Sequence, residues 1–276
     1  MSIRLIVNAD DYGQTAGVSA GIRGSHRQGI VTSTTTMMNM PDAEDALRRA
    51  VVECPDLGLG VHLVLTCASP LLPASRVSSL IDEQHHFYGE AAFIARLKAV
   101  NPAEVEAEWR TQIDRFVSIV GHAPDHLDAH HHVSYFSPEL FKVMLELAQD
   151  YGSAIRLPVG ETAADIISDF SKEQASHTLE QFPLLLQAYH PRHPDRFIKS
   201  FYDDTATQEV LSHILANLSD GVTEIMCHPA HVDPELLNVS IYTHQREVEF
   251  GLLTQPSLLK TIEDSGIELV NFGQLS

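Results

Sequence analysis

Asp10 and Asp11 stand side by side after the apolar run Leu5-Ile6-Val7 and just before a breaking glycine, Gly13. Adjacent carboxylates repel each other and resist desolvation, a cost that a cation beside them offsets. Asp and Asn also favour turns, so the pair alone fits an Asp-rich turn equally well. Three other groups shift the balance. They are His62, inside Gly60-Val61-His62-Leu63-Val64-Leu65; Asp128 with His130, His131 and His132; and His228, before Pro229. Each lies on or just after a segment that reads as a strand. In parallel α/β folds the carboxyl ends of the strands line one face, and active sites gather there. A lone His62 would read as a core histidine with a satisfied hydrogen bond; in this company it reads as a ligand. Three consecutive histidines on an extended segment alternate sides, so one of the three is expected to bind an ion directly. Asp128 or a neighbour is suited to hydrogen-bond the second ring nitrogen of a bound imidazole.

One Asp and two His with open positions for water make a catalytic divalent-metal site. Such an ion lowers the pKa of bound water and polarises a carbonyl, which suits hydrolysis of an amide or ester. A second, uncoordinated carboxylate would take the water's proton, and a histidine opposite would protonate the leaving nitrogen. Asp10 and His228 are the natural candidates.

These groups need a frame. Leu5 onward reads as a strand, Ala16 to Gln28 as a helix stopped by Gly29, and the β-branched stretch Ile30 to Met38 as a second strand. A helix from Pro41-Asp42 to about Glu53 and a strand over Leu57 to Leu65 continue a β-α-β-α-β rhythm, which predicts a parallel sheet with right-handed crossovers. Residues 66 to 90 break the rhythm and read as a long loop or lid. Asn101-Pro102-Ala103-Glu104 starts a helix running to about Val120 and ended by Gly121. Asp125 to Asp128 reads as a short strand, Ser137-Pro138 to about Tyr151 as a helix, and Ala154 to Leu157 as a strand. Residues 159 to 196 suggest helices with loops and a lid. Then follow a strand over Phe197 to Tyr202, a helix over Thr207 to Leu218 and a strand over Thr223 to Cys227. Helical segments over Gln245 to Leu253 and Ser257 to Ser265 precede a last strand, Ile267 to Asn271. With no internal repeat and no linker, one domain spanning 1–276 is expected. Six to eight βα units fit a closed or distorted barrel better than an open sheet.

The 276 residues carry a formal net charge of -19, which argues against nucleic acid and anionic membrane as partners. Hydrophobic content of 44% suits a globular core, and no run of eighteen apolar residues suggests a membrane span. The N-terminus enters a strand directly, so no signal peptide is expected. Cys54, Cys67 and Cys227, odd in number and without a CxxC, read as buried free thiols in a reducing, cytoplasmic setting. The 16 histidines are the unusual feature, since imidazole is the commonest metal ligand.

Five segments, Leu-Ile-Val-Asn-Ala-Asp-Asp-Tyr-Gly (5 to 13), Gly-Ile-Val-Thr-Ser-Thr-Thr (29 to 35), Gly-Val-His-Leu-Val-Leu-Thr (60 to 66), His-Leu-Asp-Ala-His-His-His-Val (126 to 133) and Glu-Ile-Met-Cys-His-Pro-Ala (224 to 230), occur in the order of the YdjC-like carbohydrate deacetylases. The chain resembles that family, and within it the chitooligosaccharide (diacetylchitobiose) deacetylases. The resemblance implies a distorted (β/α) barrel of mostly parallel strands and a divalent metal, magnesium or zinc. It implies removal of acetyl groups from N-acetylglucosamine units of a small saccharide, and a homodimer. By motif position it implies Asp11, His62 and His130 as metal ligands, Asp10 as base and His228 as acid. Arg156, in Ile-Arg-Leu-Pro, matches a family arginine that would orient Asp10 or bind substrate; the plain alternative is a surface arginine.

Two departures stand out. The family's histidine run usually continues after Val133, where this chain has Ser134, and no motif aligns over 159 to 200. Tyr135, Phe136, Tyr202 and Trp109 are candidate sugar-stacking aromatics, with Tyr135 taken as substrate-binding and Trp109 better suited to core packing. Two other functions compete. A metal-dependent phosphoesterase would need cationic groups that are scarce near the motifs. A non-catalytic sugar-binding protein would have no use for a spare acid and base.

Overall fold

A computed structural model of the chain describes residues 2–158, 166–167 and 172–275. Eight strands, β1 (Ile3–Tyr12), β2 (Ser33–Thr36), β3 (Gly58–Leu63), β4 (His126–Ala129), β5 (Ala154–Ile155), β6 (Arg196–Ile198), β7 (Gly221–Cys227) and β8 (Glu268–Leu269), form one sheet. Its order is β5-β4-β3-β2-β1-β7-β6, and every pairing is parallel. β8 adds to the start of β1, at Arg4 and Leu5. The sheet curls with its helices outside, as a distorted barrel. The ends meet at one backbone bond, from the Ile155 amide to the Arg192 carbonyl at 2.8 Å, and among the described residues no ladder joins β5 to β6. β5 has only two residues, and Pro191 and Pro194 bracket the facing segment; proline has no N–H to donate to a ladder.

β1 is the central stave. Eight of its ten residues are buried, because it has neighbours on both edges. The helices are α1 (Ala16–Gln28), α2 (Ala43–Glu53), α3 (Glu90–Arg96), α4 (Pro102–Val120) and α5 (Pro138–Tyr151), and α4 and α5 start where the capping signals stand. Asn101 accepts from the Ala103 amide at 3.0 Å and Ser137 from the Leu140 amide at 3.3 Å. Gly121 and Gly152 end those helices at φ of 91° and 67°, the left-handed region that favours glycine. Further on lie α6 (Lys172–Tyr189), α7 (Gln208–Ala216), α8 (Pro234–Val239), α9 (His244–Leu253) and α10 (Pro256–Asp264).

Several expectations shorten or change. The strand expected over Ile30 to Met38 is ordered as β only at Ser33–Thr36, and that over Phe197 to Tyr202 becomes Arg196–Ile198. The segment 66 to 90 is not a free lid. Glu108 of α4 accepts from the Leu71 and Leu72 amides, each at 2.9 Å, and Glu104 from the Ser79 amide at 2.8 Å. Val77, Leu80, Ile81 and Phe87 of this segment are buried in the main core. Much of the lid expected within 159 to 196 lies outside the described residues; the described part is chiefly α6. All three cysteines are free thiols, but Cys67 is only half-buried. No helix among the described residues is long and apolar enough to cross a membrane.

Candidate active site

Parallel register sets the rim. His62 pairs with Asp128 across β3 and β4, Thr35 with Gly60 across β2 and β3, and Ala9 with Cys227 across β1 and β7. Asp10 and Asp11, Thr35, His62, Asp128 and, just past β7, His228 therefore reach the same end. Neighbours on a regular strand point to opposite faces. Here β1 is irregular against β2 between Ala9 and Tyr12, and Asp11 adopts a φ of 68°. That left-handed residue costs roughly 1–2 kcal/mol in an L-amino acid, least for Asp and Asn. Bulges of this kind re-aim side chains next to active sites. The rim opens on a cavity of about 700 Å³ lined by Asp10, Asp11, His62 and His228 and by Tyr202 and Arg246.

Asp11, His62 and His130 converge. Asp11 Oδ1 lies 3.4 Å from His62 Nε2 and 3.1 Å from His130 Nδ1, and the two nitrogens are 3.3 Å apart. Donors at about 2.0–2.1 Å from one ion, at tetrahedral or octahedral angles, lie about 3.0–3.4 Å apart. The three spacings match that range. Asp11 Oδ1 is buried and makes no hydrogen bond of good geometry; its near polar neighbours are the two imidazole nitrogens, and a cation between them would satisfy it. The other oxygen, Oδ2, accepts from Arg246 Nη2 at 2.6 Å. Asp128 Oδ1 lies 2.6 Å from His62 Nδ1, which puts the proton there and leaves Nε2 bare toward the cluster. The donor set fits a divalent metal.

Asp10, His62 and Asp128 make a second cluster of possible ligand types. It is already filled by protein. Arg156 Nη1 and Nη2 grip Asp10 Oδ2 and Oδ1 at 2.6 and 2.7 Å, Nη1 lies 2.9 Å from Asp128 Oδ2, and Nε donates to Glu224 Oε1 at 2.7 Å. A metal ion there would face a buried guanidinium. Asp10 thus stands uncoordinated beside the triad, with His228 Nε2 4.0 Å from its Oδ2.

Electrostatics sort the groups. Burial works to raise Asp10 and Asp11, but Arg156 beside the first and Arg246 beside the second hold both well below the ordinary carboxylate range. His130 is buried, which opposes its charge, yet the Asp11 carboxylate pushes it up to about 10. Burial lowers His228 to about 4 despite Asp10 and Asp11 nearby. Burial also pushes Glu224 and Glu249 up to about 7.

Of the three consecutive histidines only His130 joins the triad. His131 and His132 sit at φ of 54° and 56°, and the His131 ring lies tilted at 31° over that of His130, 4.0 Å away. His131 Nδ1 meets Thr66 Oγ1 at 3.0 Å, and His132 meets the Phe197 ring edge-on at 5.8 Å.

Two expectations are corrected. Tyr135 is not on the rim: its ring is 1% exposed, packs against Phe141 and Phe182, and its hydroxyl donates to the Arg156 carbonyl. A ring closed off by core aromatics has no face left for a sugar. Arg156 is fully buried, so it is neither a surface arginine nor a substrate contact; its fork is spent on Asp10, Asp128 and Glu224. Phe136 and Trp109 are core residues too, and Ser134 is buried away from the rim. Tyr202 alone of the four aromatics lines the cavity, stacked on Tyr242 at 4.5 Å.

Sequence reasoning missed Arg246, Glu249 and Tyr242. Glu249 accepts from the His228 amide at 2.5 Å and from the Tyr242 hydroxyl. Arg246 and Glu249 stand three apart on α9, hence on one face, and both are buried. Charged residues at that spacing read as a solvated face, which hid them.

The family model described as "YdjC-like protein" matches residues 4–264. A carbohydrate deacetylase from Thermoanaerobacter pseudethanolicus is 38% identical over 271 residues, covering 98% of both chains. A chitooligosaccharide deacetylase from Yersinia enterocolitica is 31% identical over 271 residues, covering 97% of each chain. The crystal structure of an Enterococcus faecalis protein named for cellobiose-phosphate cleavage superposes with a TM-score of 0.83 at 36% identity, covering 99% of this chain and 98% of that one.

Proposed function

This chain belongs to the YdjC-like protein family, and from that premise we propose that it is a metal-dependent carbohydrate deacetylase acting on N-acetylglucosamine-containing saccharides such as diacetylchitobiose. The observation that carries the metal dependence is the triad of Asp11 Oδ1, His62 Nε2 and His130 Nδ1, spaced 3.1–3.4 Å apart, in which the buried carboxylate oxygen makes no hydrogen bond of good geometry. Magnesium or zinc held there would acidify a bound water and polarise the amide carbonyl.

The chain's own residues do the rest. Asp10 stays ionised because Arg156 grips it, so Oδ2 accepts the proton of the attacking water. His228, held near 4 by burial, is neutral beforehand, and its Nε2 lies 4.0 Å from Asp10 Oδ2. It takes the proton that Asp10 collected and delivers it to the leaving nitrogen, and acetate departs. Tyr202, at the cavity wall and edge-on to His228 at 5.3 Å, offers a face to the sugar ring. The cavity of about 700 Å³ is of the size that encloses small ligands.

The test is acetate release from diacetylchitobiose by chelated protein reloaded with magnesium or zinc. Metal-dependent release is expected. No release from any short chitooligosaccharide under either metal overturns the substrate assignment, and equal release after chelation overturns the metal dependence.

A further inference from the structure

Asp10 Oδ1 accepts two hydrogen bonds, from Arg156 Nη2 at 2.7 Å and from Asn8 Nδ2 at 2.9 Å. Oδ2, the oxygen facing His228, accepts from Arg156 Nη1 at 2.6 Å. The two oxygens are therefore unequal: one is saturated from behind, and the other keeps a lone pair toward the cavity. What saturates the first is itself held. Asn8 must turn its NH₂ toward the carboxylate, because its carbonyl oxygen there would meet like charge. That orientation presents Asn8 Oδ1 to His126 Nε2 at 3.0 Å. His126 Nδ1 in turn meets Asp125 Oδ1 at 2.5 Å. Both ring nitrogens face an oxygen, so the ring is held at both ends, whichever nitrogen carries the proton.

The ring has no room to turn. Phe272 stacks on it at 3.8 Å with planes 4° apart. Gly60 closes in from the neighbouring strand, where a Cβ would stand 2.5 Å from His126 Cε1. Asp125 is 20% exposed and borders a second cavity at the opposite end of the barrel.

We infer that Asp125, His126 and Asn8 form a positioning chain that runs through the barrel to Asp10 and sets which of its oxygens acts as the base. This rests on the reading of Asp10 as the base. Asn8 and His126 touch neither the ion triad nor substrate; they act through Asp10. Losing such an outer partner typically costs ten- to a hundredfold in activity.

The experiment compares Asn8→Ala, His126→Ala, His126→Gln and Asp10→Asn in the full chain, measuring kcat and KM for diacetylchitobiose deacetylation and the dissociation constant for Mn²⁺. Asn8→Ala and His126→Ala are expected to lose roughly tenfold or more in kcat, with KM and Mn²⁺ affinity within about twofold. His126→Gln, whose amide still donates to Asn8, regains most of the loss. Kcat unchanged in both alanine variants, or KM and Mn²⁺ affinity falling in step with kcat, overturns the positioning chain. If Asp10→Asn is as active as the parent, the base assignment fails instead, so the two failures are distinguishable. Should the alanine variants not fold, Asp125→Asn at the exposed end carries the test: an unchanged kcat there overturns the inference.

Discussion

Cation binding should expel one proton, and the affinity should climb with pH. In the metal-free protein the Asp11 carboxylate pushes His130 up to about 10, so its ring is charged at neutrality, with Nδ1 3.1 Å from Asp11 Oδ1. A ligand nitrogen must be bare. His62 has its proton on Nδ1 against Asp128, and Asp11 is already ionised, so His130 supplies the proton that leaves. The sign follows: below about 10 each unit of added pH lowers the cost of deprotonation, and the apparent association constant rises about tenfold, or about 1.4 kcal/mol. Over two units of pH the gain is about a hundredfold. Isothermal titration of the chelated protein with Mg²⁺ or Mn²⁺, in buffers of different ionisation enthalpy, counts the protons directly. Close to one proton released per ion is expected. Affinity flat with pH, or a heat independent of buffer, would refute the charged His130 and the geometry drawn around it. The same shift makes metal-free stability pH-dependent. The contribution of His130 is full below its ordinary value of 6.5 and is lost as pH rises through about 10.

Three other outcomes follow from neighbouring contacts. Asp10→Asn removes the proposed base and should lower kcat by about 10²–10⁴-fold while calorimetry shows the ion still binding. Arg246→Gln frees Asp11 Oδ2 and should weaken Mn²⁺ binding by roughly ten- to a hundredfold, read by electron paramagnetic resonance titration. Arg156→Met strands Asp10, Asp128 and Glu224 without their shared counter-charge and should cost about 3–5 kcal/mol in urea unfolding; a loss under about 1 kcal/mol would contradict the buried network.

Much of this architecture was legible in the chain. Asn101-Pro102, Ser137-Pro138, Gly121 and Gly152 mark helix ends by local chemistry, so α4 and α5 fall where the signals stand. Asp11, His62 and His130 come together because each sits at a strand's carboxyl end, which the apolar runs before them reveal. What stayed hidden depends on tertiary contact. Tyr135 reads as a rim aromatic until Phe141 and Phe182 enclose it, and the chain alone leaves Arg156 between orienting Asp10, binding substrate and lying on the surface until three carboxylates surround it. The segment over 66 to 90 reads as a long loop or lid because the chain gives no hint that Glu104 and Glu108, on a later helix, pin its backbone. Arg246 lies 235 residues from its partner Asp11, and no local pattern joins them.

The left-handed turn at Asp11 has a mechanical result. Because it lets two successive residues face the same opening, the proposed base and one proposed ligand of the ion share a single peptide link, with Cα atoms about 3.8 Å apart. The peptide link fixes the separation of the two Cα atoms, and the guanidinium groups of Arg156 and Arg246 hold the two carboxylates from separate elements.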